Sequence, residues 1–243
     1  VIVKADEQLC TAVTGEDGTA IFEQNLPFGS YYIKELQAPD GFVSSDEIIE
    51  VTVSYQGQDV EVVRLKGIFK NQPTTVEFRK SDLTTGVELD GATLTVLDKD
   101  GNEIDKWTSV KGEPHIIKRL HVGETYILRE EFAPYGYLKA EEVEFTITDT
   151  AEIQKVEMKD DVPIGRIIIN KKGEFLSEVS WNDMVAGAMD SIWGYVTGSL
   201  KDVTFEIYAR EDIKAADGES DDYYKKDELV ATIKTDELGI ART

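Results

Sequence analysis

Three side chains in the middle of the chain combine an amine with two carboxyl groups. Lys80, Glu130 and Asp160 each follow two apolar residues at alternate positions, namely Val76 and Phe78, Tyr126 and Leu128, and Val156 and Met158. Side chains two residues apart in a strand point to one face, so all three ionisable groups are expected to face the core. Unpaired buried charge is costly. The groups should therefore interact, either as a salt-bridge cluster or as a nucleophilic amine beside two acids.

The glutamate lies in a strand-and-turn unit that occurs twice. One copy reads L-R-E-E-F-A-P-Y-G-Y-L at 128–138, and the other reads I-K-E-L-Q-A-P-D-G-F at 33–42. Their alignment places Glu35 opposite Glu130. Further along the chain, each copy ends in a strand that is followed by polar residues and a proline. These segments read F-K-N-Q-P and M-K-D-D-V-P, and their alignment pairs Asn71 with Asp160.

A third unit supplies only the lysine. The segment R-I-I-I-N-K-K-G-E-F begins at residue 166 and resembles the start of the complete unit. Strand alternation aligns Lys171, rather than the adjacent Lys172, with Lys80. Glu131 and Asp161 are the neighbours of the chosen acids, so a shift of one residue in strand register is the alternative assignment.

Period-2 alternation and frequent turn signals indicate the elements that position these groups. Short alternating runs are separated by Gly, Asp and Pro, for example Asp17-Gly18, Asp40-Gly41 and Asp100-Gly101. This pattern predicts an all-β chain of tandem immunoglobulin-like or prealbumin-like antiparallel β-sandwiches.

The repeats predict three domains. Residues 1–73 are read as the C-terminal part of a domain without its first strands, 74–163 as a complete domain, and 164–243 as the N-terminal part of a third. The third carries an insertion of about 20 residues relative to the complete unit, a length that suits an ordinary helix. Apolar residues at helical spacing predict a short helix at about 178–197, although Gly187 and Gly194 argue against it.

The two ends of the chain also repeat each other. Residues 222–241 align without gaps to residues 1–20. The chain therefore ends about where it began, one period later, and we expect it to be a section of a longer array. The two partial domains are complementary, so Lys171 of one molecule could meet Glu35 and Asn71 of another in a head-to-tail association.

Composition excludes several classes of partner. Among 243 residues, 41% are hydrophobic and 30% charged, which is typical of a folded soluble protein. The formal net charge of −22 argues against nucleic acid and anionic membranes as partners. No apolar run approaches the roughly 20 residues of a membrane span. Cys10 is the single cysteine, so an intrachain disulfide cannot form.

The pattern K-x-D-x-x-T-G-x-x-L-x-G-A, then G-x-Y-x-L-x-E-x-x-A-P-x-G-Y, then a terminal Asn or Asp, resembles the Cna B-type domains. These prealbumin-like, SpaA-type pilin domains occur in pilins and adhesins of Gram-positive bacteria. The resemblance covers nearly the whole chain and is best over 75–163. It implies an autocatalytic intramolecular isopeptide bond between Lys80 and Asp160 with Glu130 assisting, and corresponding roles for Glu35, Asn71 and Lys171.

Elementary chemistry agrees with that implication. Burial disfavours the charged forms of an amine and of a carboxylic acid, which leaves a neutral lysine nucleophile and a glutamic acid that can move protons. Water would leave from Asp160, and ammonia would leave from Asn71. The reaction runs once, so the chain is expected to crosslink itself and not to be an enzyme with turnover. The alternative is a salt-bridge cluster without a bond.

No cofactor and no metal site are expected. The segment Asp98 to Glu103 resembles a calcium loop but lacks a bidentate glutamate at the twelfth position, so we predict a hairpin turn around Asp100-Gly101. His115 and His121 lie in a β context without a nearby cysteine, and no Ser-His-Asp or phosphate-loop pattern is present.

The functional prediction is a structural stalk or repeat region of an extracellular Gram-positive adhesin or pilin at the cell wall. Its partners would be neighbouring domains of the same protein. The alternative is an adhesin module that recognises a host protein or glycan through loops or the 176–200 insertion. Exposure of Trp181, Trp193 and Tyr195 would favour that alternative.

Overall fold

The computed structural model describes residues 3–181 and 191–243, and the side chains of residues 3–177 and 194–243. The secondary structure of this part of the chain consists of β-strands. They are β1 (Gly29–Lys34), β2 (Ile48–Val53), β3 (Thr75–Asp82), β4 (Thr93–Leu97), β5 (Glu103–Thr108), β6 (His115–Lys118), β7 (Thr125–Phe132), β8 (Val143–Thr146), β9 (Gln154–Asp160), β10 (Ile168–Asn170), β11 (Lys172–Trp181), β12 (Ser191–Ser199), β13 (Thr204–Tyr208), β14 (Leu229–Lys234) and β15 (Ile240–Arg242).

The seven strands from β3 to β9 form two sheets. A three-stranded sheet has the order β6-β3-β9, and a four-stranded sheet has the order β5-β4-β7-β8. Aromatic side chains join the sheets, since the ring of Phe78 on β3 lies 5.3 Å from the rings of Trp107 on β5 and Phe145 on β8. The prediction of an all-β, prealbumin-like fold is confirmed.

Strand alternation decides which side chains enter this core. Along β3, β7 and β9 every second residue is buried, and the buried set includes Phe78, Leu128 and Met158. The same alternation buries the ionisable residue that comes after them on each strand. The turn between β4 and β5 is the predicted hairpin, in which Asp98 and Asn102 pair and Gly101 has φ +83°.

The outer parts of the chain form two-stranded sheets. β1 pairs with β2, β10 with β15, β11 with β12, and β13 with β14, all antiparallel. Side chains on the inner face of β1 and β2 are only half-buried. Elsewhere in these sheets, Ile233 on β14 and Ala241 on β15 are buried.

The predicted helix at about 178–197 is wrong wherever the structure describes that segment. Strands β11 and β12 pair there as a hairpin, with Glu178 opposite Gly194 and Trp181 opposite Ser191. The segment is rich in aromatic and β-branched residues, which suit strands, and its glycines weaken a helix. Of the insertion, residues 182–190 lie outside the described residues.

Chain contacts group into two compact units. One comprises residues 1–76, 117–124 and 146–154, and the other comprises 77–116, 125–145 and 155–243. The division into domains at 1–73, 74–163 and 164–243 stays a prediction. Within the described residues, the chain has no helix with the length and apolar character needed to cross a bilayer.

Candidate functional site: a buried lysine between two acids

Strands from both sheets of the seven-stranded part place Lys80, Glu130 and Asp160 together. Lys80 is near the end of β3, Glu130 is on β7 in the facing sheet, and Asp160 is the last residue of β9, the neighbour of β3. Their exposed fractions are 3%, 0% and 0%. Burial of three ionisable side chains in one place is tolerated only when they interact.

The lysine amine contacts both acids. Lys80 Nζ donates a hydrogen bond to Asp160 Oδ1. The same nitrogen lies 3.0 Å from Glu130 Oε1. One amine therefore sits within bonding reach of two carboxyl groups, at the junction of the two sheets.

A backbone group fixes the glutamate. The N–H of Ala140 donates to Glu130 Oε2 at 2.7 Å. The other oxygen, Glu130 Oε1, faces the amine but lacks an aligned hydrogen bond among the described residues, and Asp160 Oδ2 is also without one. A buried carboxyl oxygen without a donor is unfavourable when ionised, which is the situation of Asp160 Oδ2.

The pKa of Asp160 reflects this environment. Burial, the largest effect, raises the pKa of Asp160 to about 6. The hydrogen bond and positive charge of Lys80 oppose the rise, while the nearby Glu130 adds to it. A carboxyl group that stays protonated up to about pH 6 beside an amine can exchange protons with it and can present an electrophilic carbon to it.

The register alternative is not the one that the structure adopts. Glu131 is only half-buried and Asp161 is exposed, and the Asp161 carboxylate accepts the N–H of Val162 at 2.8 Å. The buried member of each acidic pair is the one that the apolar alternation selects.

The first strand-and-turn unit brings Glu35 and Asn71 together without a lysine. Asn71 Nδ2 lies 2.9 Å from Glu35 Oε1 and 2.8 Å from Glu35 Oε2, and it also donates to the carbonyl of Val43 at 3.1 Å. Both side chains are half-buried. Glu35 thus contacts the amide of Asn71, whereas Glu130 contacts the amine of Lys80.

Both units anchor their glutamate in the same way. The N–H of Ser45 donates to Glu35 Oε2 at 2.9 Å, as the N–H of Ala140 does to Glu130 Oε2 at 2.7 Å. Ser45 and Ala140 are each ten residues beyond their glutamate. The anchor is a backbone group, so no side-chain pattern in the sequence could reveal it.

A backbone bridge next to the acceptor residue is also duplicated. The N–H of Val43 donates to the carbonyl of Gln72, and the N–H of Leu138 donates to the carbonyl of Asp161, both at 2.8 Å. These carbonyls come directly after Asn71 and Asp160. Each strand-and-turn unit is therefore joined by a backbone hydrogen bond to the segment that carries Asn71 or Asp160.

Lys171 stands directly after β10, with an exposed side chain. Its backbone N–H donates to the carbonyl of Gly239, and its carbonyl accepts from Leu200. The structure thus unites Lys80, Glu130 and Asp160, unites Glu35 with Asn71, and places Lys171 in the unit that does not contain that pair.

A hydrogen-bonded carboxylate beside the site was not anticipated. Asp82 accepts the N–H groups of Thr84 and Thr85, and the hydroxyl of Tyr137 at 2.8 Å. Burial pushes the pKa of Asp82 upward, but these hydrogen bonds outweigh it and hold the pKa below its ordinary value. The run S-D-L-T-T-G is typical of an Asx-turn and signals the backbone part of this network, whereas the tyrosine comes from a distant turn.

A family model described as SpaA, prealbumin-like fold domain, matches residues 1–66 and 74–162. The chain belongs to this family. The match confirms the resemblance to prealbumin-like, SpaA-type domains. No curated protein sequence matches the chain.

Solved structures that are similar to the chain include pilins. The Bacillus anthracis TIE protein is 25% identical with a TM-score of 0.45, and the alignment covers 96% of this chain and 37% of that protein. The Streptococcal ancillary pilin is 28% identical with a TM-score of 0.32, covering 57% and 43%. The shaft pilin SpaA from Lactobacillus rhamnosus GG is 16% identical with a TM-score of 0.33, covering 64% and 70%. The chain therefore spans less than half the length of the first two.

Within the described residues, no group of three or more His, Cys, Asp or Glu side chains could hold a metal ion. The buried lysine between two acids is built entirely from side chains of β3, β7 and β9.

Proposed function

We propose that this chain is a structural section of a Gram-positive pilin or surface adhesin, located outside the cell at the cell wall, and that its middle domain is stabilised by a Lys80–Asp160 isopeptide bond. The family match and the pilins among the similar structures support the structural role. The observation that carries the bond is the fully buried amine in contact with both Glu130 and Asp160.

The proposed reaction balances within the site. The neutral Lys80 amine attacks the carboxyl carbon of Asp160, a C–N bond forms, and a C–O bond breaks. Glu130 protonates the departing hydroxyl, which leaves as water, and accepts the proton that the amine loses. The acid is therefore restored at the end. Rigid strands hold the reactants together, which supplies the effective molarity that a free amine and carboxylic acid lack.

The position of the bond suits a load-bearing role. Lys80 and Asp160 are 80 residues apart in sequence but lie on neighbouring strands of one sheet. A covalent bond at this point would carry tension directly from β3 to β9, so the residues between them would not be extended. No disulfide can do this in the chain, which has a single cysteine.

Intact mass after denaturation tests the bond. The wild-type chain should be lighter than its sequence mass by one water, and a peptide map should show Lys80 joined to Asp160. Glu130→Ala should restore the full mass, while the matched control Glu131→Ala should keep the water loss, because Glu131 is directed away from the amine. A wild-type chain with its full sequence mass would overturn the proposal.

Contacts within the second compact unit support neighbouring domains of the same protein as partners. The hydroxyl of Thr85 donates to Asp217 at 3.0 Å, and Lys111 forms an ion pair with Glu219. The acidic run at 217–222 therefore contacts the middle domain at two points. Such contacts would limit bending between consecutive domains.

A second candidate function is ligand binding by the β11–β12 hairpin. Tyr195 is 61% exposed, and its cross-strand partner Leu176 is exposed beside it on the same face of the hairpin. An exposed aromatic and aliphatic patch is typical of a recognition surface for a host protein or glycan. The side chains of Trp181 and Trp193 lie outside the described residues.

Binding to immobilised host matrix proteins and to a glycan array would test this second function. Tyr195→Ser should weaken binding severalfold, whereas Tyr223→Ser, an exposed tyrosine elsewhere in the same unit, should not. Equal binding by both variants would argue against the hairpin.

A further inference from the structure

The connection between β13 and β14 is a long arm. It spans residues 209–228, whereas the hairpin that joins β4 and β5 turns within residues 98–102. Antiparallel backbone hydrogen bonds continue from the two strands into the arm, and Ile213 forms an isolated bridge with Tyr224. The arm therefore extends beyond its own two-stranded sheet and ends in a tip formed by residues 214–223, here called the arm tip.

Asp217 organises the arm tip. The N–H groups of Glu219 and Ser220 both donate to Asp217 Oδ1 at 2.9 Å, and the Ser220 hydroxyl donates to Oδ2. Burial pushes the pKa of Asp217 upward, but these hydrogen bonds outweigh burial and the pKa is about 2. The carboxylate is therefore ionised at neutral pH, and the arm tip is an acidic turn that holds its own shape.

Two polar contacts join the arm tip to the middle domain. The hydroxyl of Thr85 donates to Asp217 Oδ2 at 3.0 Å. Lys111 forms an ion pair with Glu219. Thr85 lies in the turn after β3 and Lys111 in the turn after β5, so two separate turns of the middle domain receive the same acidic turn.

The Ala-Pro turn of the middle domain makes a third contact. A Cβ added at Gly136 would lie 3.5 Å from the Cβ of Ala216, which is ordinary van der Waals contact. Burial raises the pKa of the neighbouring Tyr137, and its hydrogen bond to Asp82 and the negative charges of Asp82 and Asp217 add to the rise. The arm tip therefore lies close against this turn.

The corresponding turn of the first unit is held in a different way. The carbonyl of Gly41 accepts the N–H of Thr74 at 3.0 Å, and the Thr74 hydroxyl donates to the carbonyl of Leu120 at 2.6 Å. Thr74 is 0% and Leu120 4% exposed. In contrast, the side chains of Lys111 and Glu219 are 33% and 58% exposed. Buried backbone groups hold the first turn, whereas the arm tip is held by side chains that water reaches.

We propose that the arm tip is a releasable clasp, which docks on a surface formed by Thr85, Lys111 and Gly136 and thereby holds residues 164–243 on the middle domain. The proposal extends the structural role proposed above and does not require the isopeptide bond. Salt screens an exposed ion pair but has little effect on buried hydrogen bonds. The clasp is therefore the contact that opens first at high ionic strength or under load, while the contacts of Gly41 and Thr74 stay closed.

A pair of introduced cysteines measures the docking directly. The test uses the full chain with Cys10→Ser, Gly136→Cys and Ala216→Cys. A disulfide requires Cβ atoms about 3.5–4.5 Å apart, and the two positions are separated by 3.5 Å. In a glutathione buffer the pair should form an intrachain disulfide with a high effective concentration. The matched control is Gly101→Cys with Ala216→Cys, since Gly101 also has positive φ but no atom of the arm within 4 Å, and this control pair should remain reduced.

Charge exchange in the cysteine-pair chain tests the ion pair. Lys111→Glu and Glu219→Lys should each lower the effective concentration of the two cysteines severalfold, because each places like charges together. The double variant should recover most of the loss. Thr85→Val should also lower the effective concentration, whereas Thr84→Val, at the neighbouring threonine, should leave it unchanged.

Salt tests whether the clasp is releasable. At an ionic strength of about 1 M the screening length falls to about 3 Å, so the effective concentration of the cysteine pair should fall severalfold. After reduction, every clasp variant should still be lighter than its sequence mass by one water, so a failure of the clasp is distinct from a failure of the isopeptide bond. A control pair that closes as readily as the docked pair, charge reversals without effect or without recovery in the double variant, or an effective concentration independent of salt would overturn the proposal.

Discussion

The middle and first strand-and-turn units hold the same acid in the same way and differ in what reaches it. Glu130 and Glu35 each accept a backbone N–H ten residues further along the chain. Glu130 is fully buried beside the amine of Lys80, while Glu35 is half-buried and bound by the amide of Asn71. The glutamate is therefore held in the same way in both units. In the middle unit, β3 also supplies the Lys80 amine, and the glutamate is fully buried.

Burial is the physical difference that matters for reactivity. In the middle site it raises the pKa of Asp160 to about 6, and Asp160 Oδ2 has no hydrogen-bond partner among the described residues. In the first site the amide of Asn71 donates to both oxygens of Glu35, and neither side chain is fully buried. We infer that closure of the sandwich by the lysine strand changes a resting hydrogen bond into a reactive cluster.

Removal of the lysine should produce the largest effect. Lys80→Ala prevents the bond, and a link between residues 80 positions apart contributes about 4.5 kcal/mol to stability in the chain-entropy account. It also leaves two buried acids without a cation, which adds to the loss. Urea unfolding should therefore show a fall of at least that size. Lys155→Ala, an exposed lysine on β9, is the control and should change stability little.

A loss in Lys80→Ala no larger than in Lys155→Ala would mean that the middle site contributes neither a bond nor a strong ionic cluster. The distinction between the two sites would then be one of burial alone.

The pH dependence of an uncrosslinked chain should reveal the raised pKa of Asp160. In Glu130→Gln the bond should not form, but burial, the main cause of the shift, remains. Because the folded-state pKa exceeds the ordinary value, folding favours the protonated acid. This stabilisation is complete below about pH 4 and is lost as pH rises through about 6, by at most about 1.4 kcal/mol per pH unit.

The measurement is urea unfolding of Glu130→Gln between pH 4 and 7, compared with a Glu130→Gln, Asp160→Asn double variant. The acids with lowered pKa values, such as Asp82 and Asp217, have the opposite slope in both variants, so the difference between the variants isolates Asp160. Identical slopes would show that Asp160 titrates as an ordinary surface acid.

Much of the middle site could be predicted from the sequence because strand alternation is a strong constraint. A side chain in phase with Phe78 or Leu128 has one face available, and that face is the core. The repeat of Glu-x-x-Ala-Pro further located Glu35 and its partner Asn71. Both inferences depend on patterns that side chains themselves create.

The sequence could not supply features that arise from backbone groups or from distant pairing. The N–H of Ala140, which anchors Glu130, leaves no side-chain signal. The insertion has apolar residues at helical spacing, yet its two arms pair as β11 and β12. Short apolar segments with aromatic and β-branched residues are compatible with both the helical and the strand periodicity, and pairing with a partner strand decides between the two structures.

The glycine of each Ala-Pro turn provides a smaller contrast between the two units. Gly41 has φ +80°, and a Cβ placed there would lie 2.5 Å from the carbonyl oxygen of Arg119. Gly136 has φ +93°, but the nearest atom to its Cβ is 3.5 Å away. Gly41→Ala should cost more than about 2 kcal/mol through strain and overlap, and Gly136→Ala about 1 kcal/mol through strain alone.

Thermal unfolding of the two alanine variants would measure this difference. Equal losses would indicate that the backbone of Arg119 moves away without cost, and that the first turn is not held more tightly than the second.

The aromatic residue after each glycine gives the smallest expected effect. Tyr137 donates its hydroxyl to Asp82 at 2.8 Å, while Phe42, its counterpart, has no hydroxyl and instead packs its ring 5.0 Å from the guanidinium of Arg119. Tyr137→Phe removes a hydrogen bond to a charged group, so the free energy of unfolding should fall by about 1–2 kcal/mol at neutral pH. Tyr135→Phe is the control, since Tyr135 is fully exposed in the same turn.

The effect of Tyr137→Phe should also depend on pH in a defined direction. The pKa of Asp82 is below its ordinary value, so the stability that the carboxylate contributes is present above that value and is lost as pH falls through the folded-state pKa. Loss of one donor moves the pKa of Asp82 back upward, and the difference between wild type and variant should shrink in acid. If the difference in stability persists at low pH, the Tyr137 hydroxyl acts through packing and not through the Asp82 carboxylate. The aromatic rings of Tyr137 and Phe42 would then stabilise their turns in the same way.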